Sequence, residues 1–195
     1  PQGPWRAWDL DQYFGCDIHL TEALTREAER EIRAAVASDQ PFFCYFAHYA
    51  PHTPIKPDER FTPHYRREGL DETESAYASL IEGLDKSVGD LLDLLDELSI
   101  IDDTIVVYTG DNGYYMGDRG FAGKWSHYEE SLRVPLIVYD PRAAQARRGQ
   151  VDKHMALNID LPATFLDLAG VQPPAAYQGR SLAGLLDGES PTNWR

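Results

Sequence analysis

The sequence predicts an α/β fold built on a mostly parallel sheet flanked by helices. Segments with the 3.6-residue apolar period of helices alternate with short, nearly continuous apolar runs, the pattern of strands buried on both faces. Each of these runs ends in a polar loop, and in sheets of this class ligands bind beyond the strand ends. The 195 residues, 43% of them hydrophobic, are enough for at least one packed core. With no internal repeat and no low-complexity segment, residues 1–195 read as a single domain.

Residues 1–10 (PQGPWRAWDL) carry no clear element signal. Over residues 20–38, Leu24, Ala28, Ile32 and Val36 stand four apart without Gly or Pro between them, which predicts an amphipathic helix with Thr21 as its N-cap. The aromatic run 41–47 (PFFCYFA) predicts a buried strand. Residues 48–57 (HYAPHTPIKP) predict a loop, because three prolines forbid helix and ladder pairing. The longest period covers 72–99, where Tyr77, Leu80, Ile81, Leu84, Val88, Leu91, Leu92, Leu95 and Leu98 mark one helical face. Residues 105–109 (IVVYT) read as a β-branched strand ending at Gly110, Asp111, Asn112 and Gly113. A Gly-rich loop over 114–131 leads to a third strand at 134–139 (VPLIVY). Asp160 is placed to cap a helix through Leu168, with Gly170 ending it, and 181–186 predicts one more short helix.

Eighteen Lys and Arg face 32 Asp and Glu, a formal net charge of -14 that repels phosphate backbones and anionic lipid surfaces and so argues against nucleic-acid or membrane partners. No stretch has 18 consecutive apolar residues. Cys16 and Cys44 lie in no metal, redox or haem motif. The absence of an initiator Met and of a finished element at either end leads us to expect a piece of a longer protein.

The residues able to carry chemistry lie in the loops after the first two runs and in the Gly-rich segment. Asp111 and Asn112 offer a carboxylate and an amide oxygen, a pair suited to a hard cation, or else a polar turn with Gly113. His52 lies between prolines that stiffen its backbone and aim its imidazole, whereas His48 reads as a structural histidine beneath the loop. Lys124 and His127 share a segment where Gly120 and Gly123 permit close approach to a ligand. Glu129 and Glu130 point to different sides as neighbours and read as a cap and a brace. The acidic side of the long helix reads as solvated. Tyr114, Tyr115 and Trp125 fit either a cleft lining or a core edge.

Taken together and in this order, the strings PFFCYFAHYAPHTP, IVVYTGDNG, GKWSHYEESLRVPLIV and NIDLPATFLDLAGV with QGRSL resemble the type I sulfatases, members of the alkaline-phosphatase superfamily. The resemblance covers residues 17–195. It implies a sulfuric ester hydrolase in which Asp111 and Asn112 ligate Ca²⁺, with Mg²⁺ second. It also implies that His52 and Lys124 contact the sulfate and its leaving oxygen, that His127 joins them in binding substrate, and that Glu129, Glu130 and Arg133 brace the loop. The implied partner is a small-molecule or carbohydrate sulfate ester; the compartment stays open, export from the cytoplasm being what the resemblance suggests.

One departure stands out. The family's formylglycine arises from a C/S-x-P-S/A-x-R motif, and a pair of Asp residues near it completes the metal site. No Cys or Ser here fits that motif. The resemblance therefore points to a partial domain, the C-terminal part of such an enzyme, whose nucleophile-bearing N-terminal half would lie upstream and without which the fragment alone would be inactive. Two other readings stay open: a phosphatase, phosphodiesterase or phosphonate monoester hydrolase of the same superfamily, and a non-catalytic anion- or carbohydrate-binding remnant.

Overall fold

The computed structural model describes residues 10–195, and the element-free opening of the chain lies almost wholly outside that range. The chain divides into two compact units, Pro1–Ile101 and Asp102–Arg195.

The first unit packs α1 (Leu20–Ala37) and α2 (Thr62–Arg67) against the long helix α3 (Glu72–Glu97). The N-cap of α1 is His19 rather than Thr21: its Nδ1 accepts from the Thr21 N–H at 3.3 Å, and Thr21 itself is buried in the helix. Asp71 caps α3 with a reciprocal box, its Oδ1 accepting from the N–H groups of Thr73 and Glu74 at 2.8 Å while Glu74 accepts from the Asp71 N–H at 3.1 Å. No apolar period marks the six residues of α2, which form where Thr62 donates through Oγ1 (2.7 Å) and N–H (2.9 Å) to the Asp58 carbonyl.

The face that α3 buries differs from the face its apolar period predicts. Leu80 and Leu95 are buried, but Ile81 and Leu92 are exposed, and much of the seam is made by Ser75, Ser79, Gly83 and Ser87. Small residues let helix and loop backbones approach closely, and their hydroxyls find partners within the seam, so a pattern of large apolar residues does not register them. Ser79 Oγ accepts from the Asp58 N–H (3.0 Å) and donates to the Ala76 carbonyl (2.7 Å). Asp58, 1% exposed, holds the Arg60 guanidinium at 2.9 and 2.6 Å. Burial pushes its carboxyl up, but the Arg60 guanidinium and backbone N–H outweigh this and hold it below the ordinary range.

The segment 41–47 forms neither helix nor strand, and Phe43 and Tyr45 are exposed instead of buried. An apolar run records a need for burial, whereas a strand also requires a regular ladder of backbone hydrogen bonds. At its end His48 contacts Ser87 Oγ through Nε2 (3.3 Å), and Ser87 Oγ contacts Thr25 Oγ1 (2.5 Å). Burial pulls the His48 imidazole down to about 4.

In the second unit β1 (Val106–Thr109) pairs antiparallel with β4 (Leu136–Tyr139), Val106 facing Tyr139 and Thr109 facing Leu136. A two-residue hairpin, β2 (Tyr115–Met116) with β3 (Ala122–Gly123), lies between them in the chain, followed by α4 (Glu129–Leu132). The α/β class holds, but both ladders among the described residues are antiparallel, where a mostly parallel sheet is expected. Parallel neighbours need a long crossover, usually a helix, and between β1 and β4 the chain supplies only a hairpin and one helical turn. The helix α5 (Asp160–Leu168) packs on α6 (Ala183–Leu186). Asp160 opens α5 as its first residue and not as its cap. Fully buried, it accepts from the Leu157 and Arg180 N–H groups at 2.8 Å and from both ends of the Arg195 guanidinium at 2.6 Å.

Two stability measurements follow from the first unit. A Cβ at Gly83 would meet Asp58 Oδ2 at 2.9 Å whereas one at Gly89 meets open space, so Gly83→Ala is expected to cost about 1–3 kcal/mol and Gly89→Ala to stabilise by up to about 1 kcal/mol in urea melts. His48 is held neutral below its ordinary 6.5, so the unfolded chain binds more protons and stability is lost as pH falls from 6.5 toward about 4. His48→Gln is expected to flatten that part of the stability curve, leaving the loss below 3.8 that the depressed Asp58 carboxyl produces.

Candidate active site

Strand β1 ends in the turn Asp111, Asn112 and Gly113, and strand β3 ends immediately before Lys124. The turn holds itself: the Asn112 N–H donates to Asp111 Oδ1 (2.9 Å), and Asn112 Nδ2 donates to the Gly113 carbonyl (2.8 Å). That leaves Asn112 Oδ1 as an acceptor, and Lys124 Nζ donates to it at 3.1 Å. From the other side Asn158 Nδ2 donates to the Asp111 carbonyl at 3.0 Å. Asp111, Asn112 and Lys124 are thus brought together, a carboxylate, an amide oxygen and an ammonium at the end of one strand.

Ser131, in α4 and buried, joins the two loops. Its carbonyl accepts from the Gly113 N–H (2.8 Å), and its Oγ donates to the Lys124 carbonyl (2.9 Å). Sequence reading names the neighbours Glu129, Glu130 and Arg133 as the brace and misses Ser131, although it stands in the same EESLR string. Glu130 takes part differently. Its Oε1 accepts from Arg119 Nε (3.0 Å), which ties α4 to the hairpin turn, and its carbonyl lies where a Gly113 Cβ would stand. Arg119 also lies over the Tyr128 ring, 4.8 Å from its centroid. Glu129 and Arg133 act through the backbone, the Arg133 N–H donating to the Glu129 carbonyl at 2.7 Å.

His127 is exposed, and its ring stacks on Tyr128 at 5.2 Å; the geometry does not join it to Asn112 or Lys124. Tyr115, 1% exposed, is core and packs on Phe121 at 5.5 Å, whereas Tyr114 and Trp125 are exposed. A cavity of about 200 Å³ lies beside them, lined by Tyr115, Phe121, Ala122, Trp125 and Ser126. A larger cavity of about 370 Å³ holds the Asp140 and Arg142 ion pair and none of the expected site residues.

His52 belongs to the first unit. Its Nδ1 contacts the Thr53 carbonyl at 2.8 Å, and because a carbonyl only accepts, that nitrogen carries the proton and Nε2 faces outward. Its backbone N–H donates to the Tyr49 carbonyl (2.9 Å), and the Tyr49 hydroxyl donates to the same Thr53 carbonyl.

The described residues hold no group of three or more His, Cys, Asp or Glu able to bind a metal ion. Asp111 and Asn112 have the hard oxygen chemistry of a Ca²⁺ ligand set, but two residues fall short of its usual six to eight oxygens. The pair fits such an ion as part of a larger set.

The close approach at Gly113 makes a direct prediction. A methyl there would meet the Glu130 carbonyl oxygen at 2.2 Å, backbone against backbone, so Gly113→Ala is expected to destabilise the second unit by about 1–3 kcal/mol. Denaturant melts followed by far-UV dichroism check this, with Ser131→Ala losing about 1 kcal/mol for one hydrogen bond.

Comparison with known proteins gives the site its context. The chain is 39% identical over 121 residues to an N-acetylglucosamine-6-O-sulfatase of Bacteroides thetaiotaomicron, covering 61% of this chain and 21% of that protein. The crystal structure of Ps i-CgsB superposes with a TM-score of 0.78 at 29% identity over 89% of this chain and 40% of that one, and it has also been solved with k-i-k-neocarrahexaose bound. A phosphonate monoester hydrolase of Silicibacter pomeroyi superposes with a TM-score of 0.75 at 26% identity, over 91% of this chain and 43% of that one. The chain therefore spans less than half the length of each of these relatives. The sulfatase family model matches residues 4–171, most of the chain, and the chain belongs to the sulfatase family.

Proposed function

We propose that the protein containing this chain hydrolyses a sulfate ester, with a sulfated carbohydrate as substrate. The observation that carries this reading is the contact of Lys124 Nζ with Asn112 Oδ1 beside Asp111, an ammonium and two oxygen donors fixed at one strand end. Cleavage of a sulfate ester builds negative charge on the leaving oxygen. A positioned ammonium acts on that charge more strongly in the transition state than in the ground state. Lys124 takes this role, its stem held through the bond from Ser131 to its own carbonyl.

His52 presents Nε2 to the substrate, as a donor to an anionic oxygen when protonated and as a base when neutral. His127, exposed on its Tyr128 stack, contacts the sugar or sulfate at the rim. Asp111 and Asn112 would hold Ca²⁺, which supplies positive charge against the sulfate oxygens. Formylglycine is assigned as nucleophile to the rest of the protein, because these 195 residues lack its motif. The sulfated sugars follow the relatives, one of them named for N-acetylglucosamine-6-O-sulfate hydrolysis. An extracytoplasmic location is part of the same proposal.

The likeness to a phosphonate monoester hydrolase supports a second reading, phosphonate or phosphate ester hydrolysis on the same framework. A sulfate and a phosphate ester with the same leaving group, assayed on the full-length protein, separate the two. Preference for the sulfate supports the first reading, and preference for the phosphate by orders of magnitude overturns it. With the sulfate ester, Lys124→Ala is expected to lower kcat/KM by about 10²–10³. Chelation is expected to abolish turnover, with Ca²⁺ restoring it better than Mg²⁺.

A further inference from the structure

His48 stands outside the mechanism above, yet its surroundings fix both its proton and its position. The chain of contacts begins at the Thr21 carbonyl in the first turn of α1, which only accepts. Thr25 Oγ1 donates its single proton there at 2.7 Å. The contact of 2.5 Å between Thr25 Oγ1 and Ser87 Oγ must therefore be made with the proton of Ser87. Ser87 has then no proton left for His48, so in the contact of 3.3 Å the imidazole is the donor, through Nε2–H. Three hydrogen bonds run in one direction, from His48 through α3 to α1.

The consequence falls on the other ring nitrogen. With the proton on Nε2, Nδ1 of the neutral ring is a bare acceptor, and it is buried without a partner among the described residues. A proton placed there would be a buried donor with nothing to receive it, which costs more than an unused acceptor. The ring is further fixed by Phe46, whose centroid lies 4.2 Å away.

His48 is also the root of the turn that carries His52. Tyr49, the next residue, receives the His52 N–H at its carbonyl, and its hydroxyl shares the Thr53 carbonyl with His52 Nδ1–H. Tyr49 and His52 are exposed, and their rings pack at 5.5 Å. The turn closes on itself, and Tyr49 through Thr53 have no bond to α1 or α3 among the contacts described. On its N-terminal side the turn is tied to those helices directly by the residue before it, whereas on its C-terminal side the next tie to α3 comes only after residues 54–57, at the Asp58 N–H on Ser79 Oγ. We propose that His48 is a positioning residue for His52, locked as the Nε2–H tautomer by the one-way chain through Ser87 and Thr25, so that the outward nitrogen of His52 is held in one place relative to α1 and α3. The proposal rests on the reading of His52 as a substrate contact and gives that contact its anchor.

The test uses the full-length protein. Nitrogen NMR with labelled histidine is expected to show His48 neutral, protonated at Nε2 and bare at Nδ1; the opposite tautomer overturns the proposal. His48→Leu and Ser87→Ala are expected to lower kcat/KM on the sulfate ester by about 10- to 100-fold, the range that follows from displacing a catalytic group by an ångström or less. His48→Gln keeps a donor N–H near the place of Nε2 and is expected to stay within about threefold of the parent. The deciding comparison is made in a His52→Ala background, where His48→Leu should lose most of its effect because there is nothing left to position. Full, independent losses in the two backgrounds would mean a merely structural role and overturn the proposal. If the parent protein turns over no sulfate ester, the functional reading fails, and the His52 ring resonances still decide this one. A shift in His48→Leu that is absent in His48→Gln upholds the anchor, and identical spectra in both remove it.

Discussion

The geometry of the second unit depends on one backbone contact, the Gly113 N–H against the Ser131 carbonyl, together with the hydroxyl of the same serine on the Lys124 carbonyl. A strand end and a hairpin end are separate pieces of chain, and polar side chains at their tips would otherwise sample many positions. One short buried side chain with little rotamer entropy to lose fixes both. Its position in a helix of four residues also sets the constraint on Gly113, because the Glu130 carbonyl fills the space in which any Cβ would stand. The contact of Lys124 with Asn112 is then a consequence of where the two backbones are held.

The first unit uses the same economy on a longer helix. The N-terminal two-thirds of α3 meets its neighbours through serine and glycine, and the polar atoms of that seam are used in order. Ser79 serves the loop at Asp58, and Ser87 links Thr25 to His48. A buried polar network adds definition only when its members are satisfied. Along the path from Thr25 through Ser87 to His48 the leftover atom among the described residues is His48 Nδ1, an acceptor, the less costly kind to leave over, and Glu82 Oε2 on α3 is a second buried acceptor without a hydrogen bond. Each unit also buries one aspartate, Asp58 and Asp160, each ringed by arginine and backbone donors, so both charges remain paired where solvent cannot reach them.

The order of the loop strings identified the family, and Asp111, Asn112 and Lys124, singled out as chemistry-bearing residues of those loops, lie within one hydrogen-bonded group. Other assignments moved when three-dimensional neighbours were supplied. Leu24 and Val36 of α1 are only half-buried, whereas Thr21 and Thr25 are core. The run 41–47 is not a strand, and all of it but Phe46 is exposed. Ser131 carried no signal of its own, since serine is common in helix ends and loops and its two bonds reach residues that only folding makes neighbours.

By itself the sequence determined the helices α1, α3 and α5, the strands β1 and β4, and the residue types gathered in the turn after β1, because periodicity and turn chemistry are local properties of a chain. Only the tertiary structure decided which face of α3 is buried, that β1 meets β4 antiparallel, which serine clamps the loops, and which nitrogen of His48 carries its proton. Those outcomes depend on distances of a few ångströms between residues far apart in sequence, and hydrogen bonds and close approaches are set by distance and not by order along the chain.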